Sequence, residues 1–317
     1  MLSSTVMNDD SQFYHQPVLL EEVISFLVTR PDGIYLDGTL GGGGHAENIL
    51  KILNKKARYL GLDQDTEALE TSRIRLKAFS NISFHHANFA DFDSVLTAQG
   101  IPLLDGILLD LGLSSRQIDS PARGFSYMQD TDLDMRMNRE DPQTAADLLN
   151  SLDEKSLSDL FYNFGEERQS RQIAREILAY RKKQAILTSG QLTGIIDKVI
   201  PGRFAIKSYA RIFQALRIAV NRELSVLQDA LDRSIQYLDT GGRCVVISYH
   251  SLEDRIVKTF FREKANPCTC PHEFPICICG KVPEMKILTS KAVKASDTEI
   301  RENSRSRSAR LRVGEKL

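Results

Sequence analysis

The sequence predicts an α/β fold, a doubly wound and mostly parallel sheet broken by a helical insertion. Three observations predict it. Short apolar runs alternate with helical stretches long enough to cross over a sheet, which implies parallel strands covered on both faces. The first, second and fourth of these runs reach an acid at their ends: Asp37, Asp63 and Asp110. The first run passes straight into four consecutive glycines, Gly41 to Gly44.

Taken in order, Val18 to Val28 places apolar residues at helical spacing, with Glu21 and Glu22 in a first turn where carboxylates complement the helix dipole. Strands follow at Ile34 to Asp37, Tyr59 to Asp63, Ile82 to His85 and Gly106 to Leu111, joined by crossover helices over Ala46 to Lys55 and Thr66 to Phe79. From Ser114 to Ile206 the chain offers loops and amphipathic helical segments but no strand pattern. Tyr209 to Leu238 reads as one long helix, with Ile212, Leu216, Val220, Leu224, Leu227, Leu231 and Ile235 in one stripe and Gly241 and Gly242 as its stop signal. A strand at Arg243 to Ser248 and a helix at Leu252 to Arg262 resume the alternation. Met285 to Ser290 and Ala309 to Val313 suit a closing hairpin on the sheet edge. The expected organisation is a sheet domain in two parts, residues 11–113 and 207–317, around a helical substrate-recognition insertion at 114–206.

Composition narrows the function classes. At 317 residues, 42% hydrophobic and 26% charged, the chain can bury a full core. Net charge is −1, so binding to nucleic acid must rest on local basic patches. Met1 to Asp10 lacks the basic and apolar regions of a signal peptide, and no stretch approaches about 18 unbroken apolar residues, so a cytoplasmic protein without membrane contact is expected. Four of five cysteines crowd into Cys268, Cys270, Cys277 and Cys279, which does not suit a secreted disulfide framework. They offer four thiolates to a structural zinc. The spacing within each pair is one residue, where zinc knuckles use two to four, and a pair of reduced turns is the alternative. Asp130, Asp132 and Asp134 resemble the start of a calcium loop, but Met135 occupies its required glycine position.

The glycine loop after Asp37 is the strongest chemical signal. Glycine lets backbone approach a ligand, and a carboxylate about 20 residues on, here Asp63, suits ribose hydroxyls. Gly41, Gly43 and Ala46 also satisfy the dinucleotide pattern, so a nicotinamide-dependent oxidoreductase is a second reading. Two features favour S-adenosylmethionine. Asp37 stands where a carboxylate can meet a cationic amino group, and further acids follow later strands: Asp91, near Phe89, and Asp110. Phe89 or Asp91 would contact the adenine.

Long motifs carry a resemblance. His15 to Val23, Asp37 to His45, Asp110 to Ser115, Arg123 to Ser126, Asp132 to Arg136, Phe213 to Asn221, Ser248 to Arg255 and Ser304 to Arg312 together resemble the bacterial small-subunit ribosomal RNA cytosine-N4 methyltransferase family, from about His15 to the C-terminus. The resemblance implies a class I, Rossmann-like methyltransferase sheet and a cytosine substrate in the decoding region of 16S rRNA within the small ribosomal subunit. It places cofactor contacts at Gly43, Gly44, His45, Asp63, Phe89, Asp110 and Gln117. A catalytically silent RNA-binding assembly factor of the same fold is the third reading.

An exocyclic amine is a poor nucleophile because its lone pair is delocalised into the ring. It must be held by acceptors for its N–H groups. Many amino-methyltransferases carry Asp or Asn followed by Pro-Pro-aromatic after the fourth strand; here Asp110-Leu-Gly-Leu stands instead. Asp110 and His250 are the catalytic candidates, with a structural role the alternative for His250. For RNA, Arg168, Arg171 and Arg175 share a helix face, followed by Arg181, Lys182 and Lys183; Lys207, Arg211, Arg305, Arg307, Arg310 and Arg312 add charge elsewhere.

Overall fold

The computed structural model describes residues 17–114, 117–118, 120–271 and 278–317. Seven strands form one sheet: β1 (Ile34–Asp37), β2 (Arg58–Asp63), β3 (Ile82–His86), β4 (Leu104–Asp110), β5 (Leu238–Ser248), β6 (Met285–Ile287) and β7 (Arg310–Lys316). Their order is β3-β2-β1-β4-β5-β7-β6. The first five run parallel, whereas β7 is antiparallel to β5 and β6 antiparallel to β7. The fold is the doubly wound α/β class that the alternation predicts.

Residue alternation explains why the sheet is covered twice. Tyr35, Tyr59, Leu108, Val245 and Ile247 enter one core with Val23 and Leu27 of α1 (Leu20–Leu27), Ile49 of α2 (Gly44–Leu50) and Leu69 of α3 (Thr66–Arg75). Their neighbours Leu36, Leu60, Ile107, Leu109 and Val246 face the other core. That core is completed by Phe92 of α4 (Phe92–Ala98), by two later helices, and by Met285 of β6. A period of two, buried on both faces, is what a central parallel sheet requires.

A third core is helical. It unites α5 (Ala145–Ser151), α6 (Glu154–Gly165), α7 (Ser170–Arg181), α8 (Ser189–Val199) and α9 (Ala205–Asn221) around Leu149, Phe161, Ile173, Ile196 and Leu216. The N-caps Thr144 and Thr188 each form a reciprocal capping box, with Asp147 and Gln191 respectively.

The expected single helix over Tyr209 to Leu238 is two helices. Arg222 adopts a left-handed backbone (φ 52°) between α9 and α10 (Glu223–Tyr237). Arg217 clamps the bend through two bonds to the Glu223 carboxylate, at 2.8 and 2.9 Å. Nor do Gly241 and Gly242 stop a helix. They lie inside β5, where the pairing with β4 shifts register, and a Cβ on Gly242 would sit 2.8 Å from the carbonyl oxygens of Asp239 and Leu104. After β5 comes α11 (Ser251–Ala265), and α12 (Asp297–Glu302) separates β6 from β7. No helix of the described residues is long and apolar enough to cross a membrane.

Candidate active site

The strand order reverses between β1 and β4, and ligands of doubly wound sheets bind outside the carboxyl ends of strands at such a point. Asp37, Asp63 and Asp110 end β1, β2 and β4 there. The Asp37 carboxyl is buried and those of Asp63 and Asp110 are half-buried, and no lysine or arginine pairs with any of them among the described residues.

Asp37 accepts from the Thr39 N–H (3.1 Å) and from the Tyr59 hydroxyl (3.0 Å). Desolvation nevertheless pushes its pKa up to about 6, with nearby His45 opposing the rise. Asp63 accepts from the N–H groups of Gly41 and Asp65, each at 2.8 Å, and burial likewise pushes it up to about 6. Asp110 is raised too, again chiefly by burial. Its Oδ1 accepts from the Tyr249 hydroxyl at 2.8 Å, and its Oδ2 lies 3.5 Å from His45 Nδ1. The other ring nitrogen, Nε2, donates to the Val18 carbonyl (2.9 Å), so His45 bridges the segment that enters α1 to the strand ends.

The glycine loop packs against these acids. At Gly38 a Cβ would stand 2.7 Å from the Leu109 side chain and 2.9 Å from Phe89 Cβ, so the loop can lie this close only as glycine. Gly41 and Gly43 take left-handed backbones (φ 53° and 74°), and the N–H of Gly43 is bonded to the Leu40 carbonyl. At Gly42 a Cβ would meet nothing within 4 Å, so that side of the loop faces open space.

Of the other site residues that the resemblance implies, Gly44 begins α2 and Phe89 reaches the Gly38 backbone. Asp91 is exposed. Gln117 is buried and points to the end of β2, its Nε2 donating to Asp65 at 2.9 Å. Asp65 also pairs with the buried Arg123 at 2.8 Å. Arg123 in turn donates to the carbonyls of Arg136 and Met137, tying α3 to the loop that precedes the helical core. Sequence reasoning missed this link, because its partners lie far apart in the chain.

His250 is a capping residue. Its Nδ1 accepts from the Glu253 N–H (3.4 Å), and Glu253 returns bonds to the N–H groups of Tyr249 and His250. His250 Nε2 comes within 3.2 Å of Glu253 Oε1, out of line for a hydrogen bond. The side chain that reaches Asp110 is its neighbour Tyr249, which also had no separate signal in the sequence. Tyr249 and His250 line a cavity of about 160 Å³ together with Lys294, Arg307 and Arg310.

The basic residues named from sequence divide into two groups. Arg168, Arg171, Lys182, Lys183 and Lys207 are exposed. Arg181 is instead consumed by the carbonyls of Leu149 and Leu152, while Arg310 and Arg312 clamp Asp254 at 3.1 and 2.7 Å. Asp130 and Asp134 diverge, the first to the Gly190 N–H and the second to Arg136, and so share no ion. Cys268, Cys270 and Cys279 converge, and Cys277 lies outside the described residues.

The doubly wound sheet, with a glycine loop and strand-end acids at its switch point, defines a nucleoside-cofactor enzyme of the α/β class. The chain belongs to the MraW methylase family, whose model matches residues 12–317. It is 49% identical over 308 residues to the "Ribosomal RNA small subunit methyltransferase H" of Clostridium botulinum (strain Loch Maree / Type A3), covering 96% of this chain and all of that one. It is 46% identical over 306 residues to the protein of the same name from Caldicellulosiruptor saccharolyticus, again covering 96% of this chain and all of the relative. Among solved structures, an rRNA methylase from Streptococcus thermophilus aligns with a TM-score of 0.42 at 10% identity, over 94% of this chain and 93% of that one.

Proposed function

We propose that this protein transfers a methyl group from S-adenosylmethionine to the N4 amine of one cytosine in the decoding region of 16S rRNA, acting on the small ribosomal subunit in the cytoplasm. The observation that carries this reading is the Tyr249–Asp110 hydrogen bond. It joins the crevice at the strand ends to a cavity walled by Lys294, Arg307 and Arg310, so a cofactor site and an RNA phosphate site adjoin.

The residues fit the cofactor. Three desolvated carboxyls with raised pKa values favour a cationic ligand, and S-adenosylmethionine brings a sulfonium and an ammonium. A dinucleotide would bring its pyrophosphate charge to the same three acids, beside a loop whose Gly41 and Gly43 N–H groups are already bonded. Gly43, Gly44, His45, Asp63, Phe89, Asp110 and Gln117 are the residues proposed to hold it. Asp63 keeps lone pairs for ribose hydroxyls, and Asp37 offers its charge to the amino group. When bound, the cofactor supplies an electrophilic methyl carbon.

The remaining work falls to the protein. Asp110 accepts an N–H of the cytosine amine, which fixes the nitrogen for in-line attack and gives the released proton an acceptor. Tyr249 holds Asp110 in place through its hydroxyl, and His250 serves by capping α11. A cytosine must leave its stack to reach this depth, and Lys294 and Arg307 would hold the flanking phosphates, Arg310 of the same wall being paired with Asp254. The helical unit, with Arg168 and Arg171 exposed, is proposed as the second RNA-contacting body.

The test is transfer of labelled methyl groups to small subunits purified from cells that lack this protein, followed by nucleoside mapping. Label on the N4 of one cytosine is expected. Label on another atom or another RNA would overturn the substrate, and absence of transfer by a chain that binds the cofactor would overturn the enzyme reading.

A further inference from the structure

The segment from Asn266 to Glu284, between α11 and β6, is long for a compact domain and contains no helix or strand among its described residues. Its neck is closed: the Glu284 N–H donates to the Lys264 carbonyl (2.9 Å), and Lys264 Nζ pairs with the Glu284 carboxylate (3.0 Å). Beyond the neck its described residues form no core. None of its described residues is buried, and Ile278 and Val282 are each 72% exposed. Ordering such a chain costs about 1–2 kcal/mol per residue in backbone entropy, and burial of the segment's described residues returns little of it. Small structures without a core are held instead by disulfides or metals.

Three sulfurs meet there. The Sγ atoms of Cys268, Cys270 and Cys279 all lie within 4.8 Å of one another. Thiolates sharing one zinc at about 2.3 Å stand about 3.8 Å apart, so closing around an ion requires contraction of about 1 Å or less. The backbone supports the same geometry. The Ile278 N–H donates to Cys270 Sγ at 3.3 Å, a bond that stabilises negative charge on sulfur. Gly280, directly after Cys279, has φ 66°, a left-handed conformation that turns the chain back at once.

We infer that Cys268, Cys270 and Cys279 form a structural zinc site that staples this segment. An all-sulfur donor set selects a soft or borderline ion such as zinc over magnesium or calcium, which take oxygen ligands. Three thiolates leave one tetrahedral position for a further donor. The one-residue spacing of Cys268 and Cys270, narrow for a knuckle, does not prevent their sulfurs from converging, because Cys279 returns to them across the segment's own fold.

The test is metal content of the full chain, purified under reducing conditions from zinc-supplemented cells. About one tightly held zinc per chain is expected, and cobalt exchanged into the site should show thiolate-to-cobalt charge-transfer absorption. Cys268→Ser, Cys270→Ser and Cys279→Ser should each weaken zinc binding by at least about 100-fold. The melting temperature of the sheet core should change little, since none of the three cysteines belongs to any of the three cores. Because a misfolded segment could also lose metal, chelation of the wild type is the second measurement. Removing zinc should expose residues 266–284 to protease, and adding it back should restore protection. A reduced, folded wild type that holds less than about one zinc per ten chains, or a segment equally protected with and without zinc, overturns the site.

Discussion

Asp37 combines complete burial, two hydrogen bonds and no cationic side chain in an ion pair, so the unliganded fold carries a charge it does not neutralise. Its pKa is near 6 in the folded chain against 3.8 for the ordinary group. Between those values the folded state binds the proton that the unfolded state has released, so stability falls as pH rises through that window, and the full penalty stands above about 6. Asp37→Asn removes the charge while keeping the shape. Its amide oxygen can still accept from Thr39, and the Tyr59 hydroxyl can turn to accept from the amide. The variant should therefore melt higher than the wild type at pH 8 and close to it at pH 5, while binding S-adenosylmethionine at least about tenfold more weakly at pH 8. By the same linkage, wild-type affinity for the cofactor should fall as pH drops below about 6. Differential scanning fluorimetry and calorimetry at the two pH values read both effects. Equal affinity of variant and wild type would remove Asp37 from the cofactor site.

The junction of α9 and α10 shows how one apolar stripe can serve two cores. Ile212, Leu216 and Val220 pack in the helical core, whereas Leu227, Leu231 and Ile235 pack under the sheet. The change of direction falls on Arg222, an exposed residue in the left-handed region, where a side chain with a Cβ costs about 1 kcal/mol. Arg222→Gly should raise the melting temperature by about 2 °C, and Arg222→Val should lower it by more. A drop on glycine substitution would mean that the arginine side chain, and not the backbone, holds the bend. The same junction shows what sequence could and could not reveal. The strands β1, β2 and β4 were legible because apolar runs and terminal acids agree within a few residues, whereas β5 showed only its Val/Ile half, its first five residues being hidden by the glycines. The helix break was not, because the stripe stays in phase across it and an arginine carries no turn signal. Gly241 and Gly242 misled for a related reason: glycine punctuates helices, but it also permits the close strand pairing that it serves here. In the site, Asp37, Asp63 and Asp110 could be seen from their strand ends. The links from Asp65 to Gln117 and Arg123, and from Asp110 to Tyr249, depend on pairs more than 50 residues apart, which local pattern does not encode.

At the scale of the molecule, the helical core and the sheet are tied by polar contacts through Arg123, which pairs with Asp65 and donates to the carbonyls of Arg136 and Met137, where Asn221 of α9 in turn accepts from the Met137 N–H. Exposed basic residues lie on both bodies, Arg168 and Arg171 on the helical one and Lys294 and Arg307 beside the sheet. A net charge of −1 makes these local patches, and not the overall field, the source of any attraction for RNA. If both bodies grip one RNA, charge reversal on either should weaken binding and flatten its salt dependence. Each lost phosphate contact to a single strand lowers the slope of log K against log salt by about 0.7. Arg168→Glu with Arg171→Glu, and separately Lys294→Glu with Arg307→Glu, should each reduce that slope by about 1 to 1.5 and leave cofactor affinity unchanged. Combining all four should give the sum of the two reductions, because the patches lie on different bodies and share no partner. Fluorescence anisotropy with a decoding-region RNA fragment, titrated at several salt concentrations, measures the slopes. A helical pair that leaves the slope unchanged while the Lys294 and Arg307 pair lowers it would confine RNA recognition to the sheet side and leave the helical core as scaffold.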